Sequence, residues 1–173
     1  KELKVSRVIT LSPHSYNVFK NEYPALGGDF EVVHYTQLLA DLIKSKQLKI
    51  AGGFKAKVTY HDPCFLGRYN KEYDAPRNIL TSIPGIELVE MRRKKEHSFC
   101  CGGGGGNFYT DLVGGKENSP SRVRIREIYK TGAQILAVAC PTCITMLEDA
   151  VKSEDLEGKI VVKDIVEIVI EAM

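Results

Sequence analysis

Two patterns of apolar positions alternate along the chain. Short apolar runs recur, and longer amphipathic stretches separate them. Residues 5–11 read as a strand, and residues 16–23 as a helix with Pro13 near its first turn. Residues 30–35 form a second strand. Residues 36–45 place Leu38, Leu39, Leu42 and Ile43 on one helical face. Gly52-Gly53 interrupts the pattern. Beyond it come a strand at 57–61, a short helix at 75–82, and a Pro84-Gly85 turn into a strand at 87–91. A glycine run occupies 102–106. A helix at 122–130 stops at Gly132, and a buried strand follows at 134–139. A helix at 142–151, a strand at 159–162 and a closing helix at 165–173 complete the order. Strand–helix alternation predicts an α/β fold with mainly parallel strands.

The two ends of the chain echo each other. Val8-Ile9-Thr10-Leu11-Ser12-Pro13-His14-Ser15 matches Leu136-Ala137-Val138-Ala139-Cys140-Pro141-Thr142-Cys143 as an apolar strand, X-Pro-X-X and a helix. Val32-Val33 before Leu38 to Ile43 matches Val161-Val162 before Val166 to Val169 in the same way. The offsets are 128 and 129, so a one-residue gap aligns both. This predicts two related sheet-and-helix units, the first incomplete. Residues 1–53 are the tail of a first repeat, and residues 54–173 are a complete second one.

Composition narrows the function. Apolar residues make up 43% of the 173 positions and charged residues 27%, which suits a globular core. The net charge of +2 gives no strong field for nucleic acid or an anionic membrane. No apolar run nears the roughly 18 residues of a membrane span. Lys1-Glu2-Leu3-Lys4 lacks a signal peptide's apolar stretch, and no initiator Met is present, so a fragment or a processed piece is expected. Five cysteines are an odd number for a secreted disulfide scaffold. A reducing compartment, with thiols free for metal or redox work, fits better.

Those thiols are Cys64, Cys100, Cys101, Cys140 and Cys143. Each group falls where a strand ends or a loop turns, which is where ligands collect in open α/β sheets. Structural zinc and a simple cubane cluster each take four ligands, and five thiolates exceed both. The adjacent pair Cys100-Cys101 suits a multi-iron object better than a single small ion. Thiolate softness favours iron–sulfur or zinc over magnesium or calcium. Cys140 stands at a helix N-cap with Pro141 at the first position, so free N–H groups face an anionic centre. The run Gly102 to Gly106 permits close backbone approach and unusual dihedrals. From the residues alone, an iron–sulfur cluster, a zinc site with one spare cysteine and a redox-active Cys140/Cys143 pair all stand open.

His61-Asp62-Pro63-Cys64-Phe65-Leu66-Gly67-Arg68, then Cys100-Cys101-Gly102, then Cys140-Pro141-Thr142-Cys143, resembles the cysteine-rich CCG domain. That domain occurs in heterodisulfide reductase subunits of the B and D type and in related iron–sulfur oxidoreductases. Gly103 to Phe108, with Gly114-Gly115 and Ser119-Pro120 downstream, brings the chain nearest to the D-like group, which serves membrane-associated electron transfer. The resemblance implies one noncubane [4Fe-4S] cluster held by Cys64, Cys100, Cys101, Cys140 and Cys143. His61, Gly102, Gly103 and Pro141 would stand just outside it. Some copies of the domain bind zinc instead. The implied role is an electron relay within a multi-subunit oxidoreductase, with reduction of a disulfide at the cluster as the alternative. The implied partners are a flavoprotein, a ferredoxin-like domain and a membrane cytochrome b subunit. The implied location is the cytoplasm, with a partner supplying any attachment to the membrane's inner face.

One departure stands out. Family members often carry Cys-Pro-His-Cys where this chain has Ser12-Pro13-His14-Ser15. A serine hydroxyl is a poor iron ligand, so no cluster is expected in the first unit. His14 and His34 are expected to be structural, and His97 a solvated loop residue. Arg92-Arg93-Lys94-Lys95 reads as a solvated loop or a docking patch for an acidic partner. Arg122, Arg124 and Arg126 are equally ambiguous. G-x-G-x-x-G fails in register at Asn107, and Gly115-Lys116-Glu117 is no Walker motif.

Overall fold

The computed structural model describes residues 4–110, 112–113 and 115–173. Gly114, one of the glycines behind the resemblance, and residues 1–3 lie outside them. The chain runs β1 (Arg7–Thr10), α1 (Pro13–Asn21), β2 (Glu31–His34) and α2 (Tyr35–Lys44), then β3 (Ala56–Tyr60), α3 (Asp74–Ser82) and β4 (Ile86–Leu88). Two single-turn helices, α4 (Asn107–Thr110) and α5 (Gly115–Asn118), precede α6 (Pro120–Tyr129). The order ends with β5 (Ile135–Val138), α7 (Pro141–Ser153), β6 (Val161–Asp164) and α8 (Ile165–Glu171). The fold is α/β, as the alternation predicts.

Two sheets result. β1 pairs with β2, and β4-β3-β5-β6 form the second sheet. Each of these strand pairs is parallel. β5 is buried at every position, as a strand covered on both faces must be. Leu136 and Val138 face α6 and α7, where Ile125, Ile128, Leu147 and Ala150 meet them. Ala137 faces the other way, among Val58, Tyr60, Ile79, Leu80 and Ile168. That second layer also takes Tyr16 and Tyr35 from the first unit, so the two units share one apolar cluster. The Tyr35 hydroxyl donates to Asp164 Oδ1 at 2.7 Å across the junction.

Several boundaries differ from expectation for local reasons. α1 begins at Pro13 because a proline's missing N–H costs nothing in the first turn. α6 and α7 begin at prolines for the same reason. β4 stops at Leu88 rather than continuing to residue 91, because Glu90 turns toward Arg77 and Met91 enters the α6–α7 cluster. β6 runs to Asp164, whose side chain caps α8 by accepting from Val166 N, while Glu167 accepts from Asp164 N. β1 is aligned with β2 from Arg7↔Glu31, and β5 with β6 from Ile135↔Val161, so the second βα unit is offset by one residue more than the sequence echo suggests.

Candidate metal centre

The five cysteines come from three places at the carboxyl end of the second sheet. Cys64 follows β3 in the loop opened by His61, whose N–H extends the ladder by donating to Ala137 O at 3.0 Å. Cys140 is the N-cap of α7, and Cys143 lies one turn inside it. Cys100 and Cys101 sit in the long connection between β4 and α6.

Side-chain pairing ties that connection to the Cys64 loop. Arg77 on α3 makes a bidentate bond to Asp62 at 2.7 and 3.0 Å and a second to Glu90 at 2.7 and 3.1 Å. Asp62 Oδ2 also accepts from Lys95 N at 2.8 Å, and Ser98 Oγ donates to Asp62 O at 3.2 Å. Asp62 thus joins the Cys64 loop to the segment that leads into Cys100. A buried carboxylate is tolerated only with such partners. Against burial, which raises it, the Arg77 bonds hold the Glu90 carboxyl below its ordinary range.

The thiols form one contiguous group. Cys64 meets Cys100, Cys100 meets Cys101, Cys101 meets Cys143, and Cys143 meets Cys140. The Cys143–Cys101 sulfur separation is 3.3 Å. All five are free of disulfides. Cys101, Cys140 and Cys143 are buried, and Cys64 and Cys100 are half-buried, so one side of the group reaches the surface. Proton sharing separates their acidities. Hydrogen bonds from Cys101 and Cys64, with one from Gly102 N, push the Cys100 thiol down to about 2. The hydrogen bond from Cys143 pushes Cys140 down to about 5, and His14 adds to this. Contact with the other sulfurs, followed by burial, raises Cys64 and Cys143. Five soft donors linked pair by pair fit an anionic multi-iron cluster, which accepts sulfurs at different irons, and exceed the four that zinc takes.

Only the start of the glycine run serves this group by close approach, at Gly102 and Gly103, while a Cβ at Gly104, Gly105 or Gly106 would meet open space. A Cβ on Gly103 would lie 2.6 Å from Thr142 Cγ2 and 3.0 Å from Met146 Cγ, so only glycine lets this loop rest on α7. Gly102 takes φ +85°, a left-handed conformation that disfavours any side chain. Pro141 fixes the first turn of α7 beside Cys140.

His61, Cys101 and Cys143 offer ligand atoms within 4.8 Å of one another, all buried. His61 therefore stands at the group, as does Gly102. His14 does too, against expectation. Its ring contacts Cys140, and that hydrogen bond raises its pKa despite partial burial. It also packs on Phe65 at 4.4 Å between centroids. The first unit thus touches the cysteines through His14, one of the two residues between Ser12 and Ser15. The sequence echo, which aligns this turn with Cys140–Cys143, is the signal that could have found it. His34 is structural: buried, it contacts Thr36 Oγ1 and Leu11 O, and burial pushes it down to about 4. His97 is exposed, as expected.

The arginines separate cleanly. Arg126 pairs with Glu154 at 2.6 Å, as does Arg122 at 2.5 Å. Arg124 is fully buried, a place that its setting between two other arginines does not announce. It shares the inward stripe of α6 with Ser121, Ile125 and Ile128. Within the basic run, Arg93 bonds Glu127 and stacks over Phe99 at 4.0 Å, while Arg92 is exposed.

The family model of the CCG cysteine-rich domain matches residues 58–148. The chain is 40% identical to the protein named "Probable iron-sulfur-binding oxidoreductase FadF" of Bacillus subtilis, over 98% of this chain and 24% of that protein. It is 38% identical to the EtfAB:quinone oxidoreductase of Syntrophomonas wolfei, over 98% of this chain and 24% of that one. It is 42% identical to the D-type component of the dihydromethanophenazine:CoB–CoM heterodisulfide reductase of Methanosarcina barkeri, over 91% of this chain and 38% of that one. The chain therefore spans about a quarter of the first two relatives and under half of the third. No helix among the described residues is long and apolar enough to cross a membrane. With all three of its cysteine motifs inside the matched segment, this chain belongs to the CCG cysteine-rich domain family.

Proposed function

We propose that this chain is an iron–sulfur electron-transfer domain that holds one noncubane [4Fe-4S] cluster through Cys64, Cys100, Cys101, Cys140 and Cys143. The observation that carries this reading is the convergence of all five thiols into one group at the ends of β3 and β5. The bound cluster would supply one-electron chemistry at a potential set by its surroundings. The chain's own residues do the rest. Three sulfurs are buried and exclude water, while half-buried Cys64 and Cys100 bring the group within reach of a partner's surface. Gly102 N–H donates to Cys100 Sγ at 3.3 Å, and the positive end of α7 faces Cys140 and Cys143.

The relatives' names speak of an iron-sulfur-binding oxidoreductase, a membrane-anchored ferredoxin and a quinone oxidoreductase, and they support a setting within a larger oxidoreductase, with the flavoprotein, ferredoxin-like and membrane partners that the family resemblance implies. The first unit is then the tail of a degenerate repeat, with Ser12 and Ser15 in place of thiol ligands. A second reading, disulfide reduction at the cluster, draws on the same exposure of Cys64 and Cys100, which would admit a small disulfide. Anaerobic redox titration followed by electron paramagnetic resonance tests both. A reversible one-electron signal supports the relay. A new signal on adding an organic disulfide favours the second reading. A redox-silent protein after iron and sulfide loading overturns both.

A further inference from the structure

Arg124 is fully buried, yet it is a permanent cation with five N–H donors. Its partners account for its place. Nη1 donates to Glu127 Oε2 and to Arg93 O, both at 2.8 Å. Nη2 donates to Ser98 Oγ at 3.3 Å. Nε donates to His61 Nδ1 at 3.2 Å. Only the last bond touches a group beside the cysteines, and it carries chemical information.

An arginine N–H can only donate, so His61 Nδ1 must accept with its lone pair. A neutral imidazole has one acceptor nitrogen and one N–H. With Nδ1 accepting, the proton sits on Nε2. The charge of Arg124 a hydrogen bond away also opposes a second proton on the ring. His61 offers a ring nitrogen within 4.8 Å of the buried thiols of Cys101 and Cys143; Nε2 is then an N–H donor, and Nδ1 already accepts from Arg124, so neither nitrogen keeps a free lone pair for a metal. Metal-binding histidines show the opposite arrangement, in which the remote nitrogen donates its N–H to a carboxylate or carbonyl and the near nitrogen keeps its lone pair.

The geometry points to Arg124 as the positioning residue that locks His61 in the Nε2–H tautomer and makes it a hydrogen-bond donor to the cysteine-held centre rather than a ligand of it. Together His61 and Arg124 stabilise negative charge on the sulfurs, so they favour the reduced state of a bound cluster and raise its potential. The part about potential rests on the cluster reading above. The tautomer stands without it.

The test has two arms. The chain holds only four histidines, so [15N]histidine labelling gives four ring systems, and His61→Gln assigns one of them. Long-range 1H–15N correlation spectra of the reduced, metal-free protein should show His61 with a protonated Nε2 and an unprotonated Nδ1. Arg124→Met should lose that fixed pattern. A protonated Nδ1 in the wild type, or an unchanged pattern in Arg124→Met, overturns the assignment. Where Arg124→Met does not fold, the wild-type spectrum decides alone.

The second arm is the midpoint potential of cluster-loaded protein. His61→Leu should shift the one-electron equilibrium toward the oxidised form by about tenfold, or about 59 mV. His61→Gln, which keeps a side-chain N–H near the same place, should recover most of that shift. A packing role alone would not distinguish the two variants. Equal potentials in wild type and His61→Leu overturn the donor role. Protein that binds no iron contradicts the cluster reading, and the first arm still decides the tautomer.

Discussion

Substituting Gly103 by alanine probes how the glycine loop meets the helix that carries two of the cysteines. The added Cβ would stand 2.6 Å from Thr142 Cγ2 and 3.0 Å from Met146 Cγ. Carbon contacts are normally about 3.5–4.0 Å, so the loop or α7 must move by about an ångström. Met146 is flexible and can yield, but Thr142 is β-branched in the first turn of α7 and is stiff at χ1. Overpacking of this kind costs about 1–3 kcal/mol. With a urea slope of about 2 kcal/mol per molar, the midpoint should fall by about 0.5–1.5 M at constant slope. Thr142→Ser removes the offending methyl. The double variant Gly103→Ala/Thr142→Ser should therefore recover most of the loss, a coupling of about 1 kcal/mol or more. Because this contact lies beside Cys101 and Cys143, whose sulfurs stand 3.3 Å apart, the single variant should also load less iron. An unchanged urea midpoint in Gly103→Ala, or no recovery in the double variant, would refute the close-approach argument.

Other perturbations follow from the same structure. Arg77→Met strands Asp62 and Glu90 and should cost about 3–5 kcal/mol in urea unfolding, with part recovered when both carboxylates become amides; a loss below about 1 kcal/mol would contradict the clamp. His34 has its pKa lowered by burial to about 4 from its ordinary 6.5, so the unfolded chain takes its proton first. Its contribution is full above pH 6.5 and is lost as pH falls toward 4, by up to about 1.4 kcal/mol per pH unit, and His34→Gln should flatten that part of the stability profile. His14→Ala removes the ring against Cys140 and should speed loss of iron to a chelator by about 10-fold or more, whereas an exposed control, His97→Ala, should not.

The architecture is largely open to sequence reasoning because it rests on local patterns. Strand–helix alternation gives parallel pairing, and Cys140-Pro141 announces a helix start wherever it stands. The three cysteine motifs are equally plain. What periodicity does not report is pairing across the sheet. Asp62 looks like a loop residue until Arg77, fifteen positions on, is brought to it by α3. Arg124 lies between two arginines that share Glu154, and only the inward stripe of Ser121, Ile125 and Ile128 hints that its side chain is buried. His14 depends on how the first unit seats against the second, which only the echo between the two ends hints at and no local pattern encodes. The pattern overstates the end of β4 because Val89, Glu90 and Met91 look like a continuing strand, while the Arg77 ion pair and the α6–α7 cluster pull the chain away.

The central claim is that five thiols hold one iron–sulfur cluster. Its most direct test is the metal and acid-labile sulfide content of protein purified without oxygen, compared with single alanine variants of each cysteine. The account predicts about four iron and four sulfide per chain, falling on removal of any one of the five. About one zinc with no iron, unaffected by loss of one particular cysteine, would contradict it.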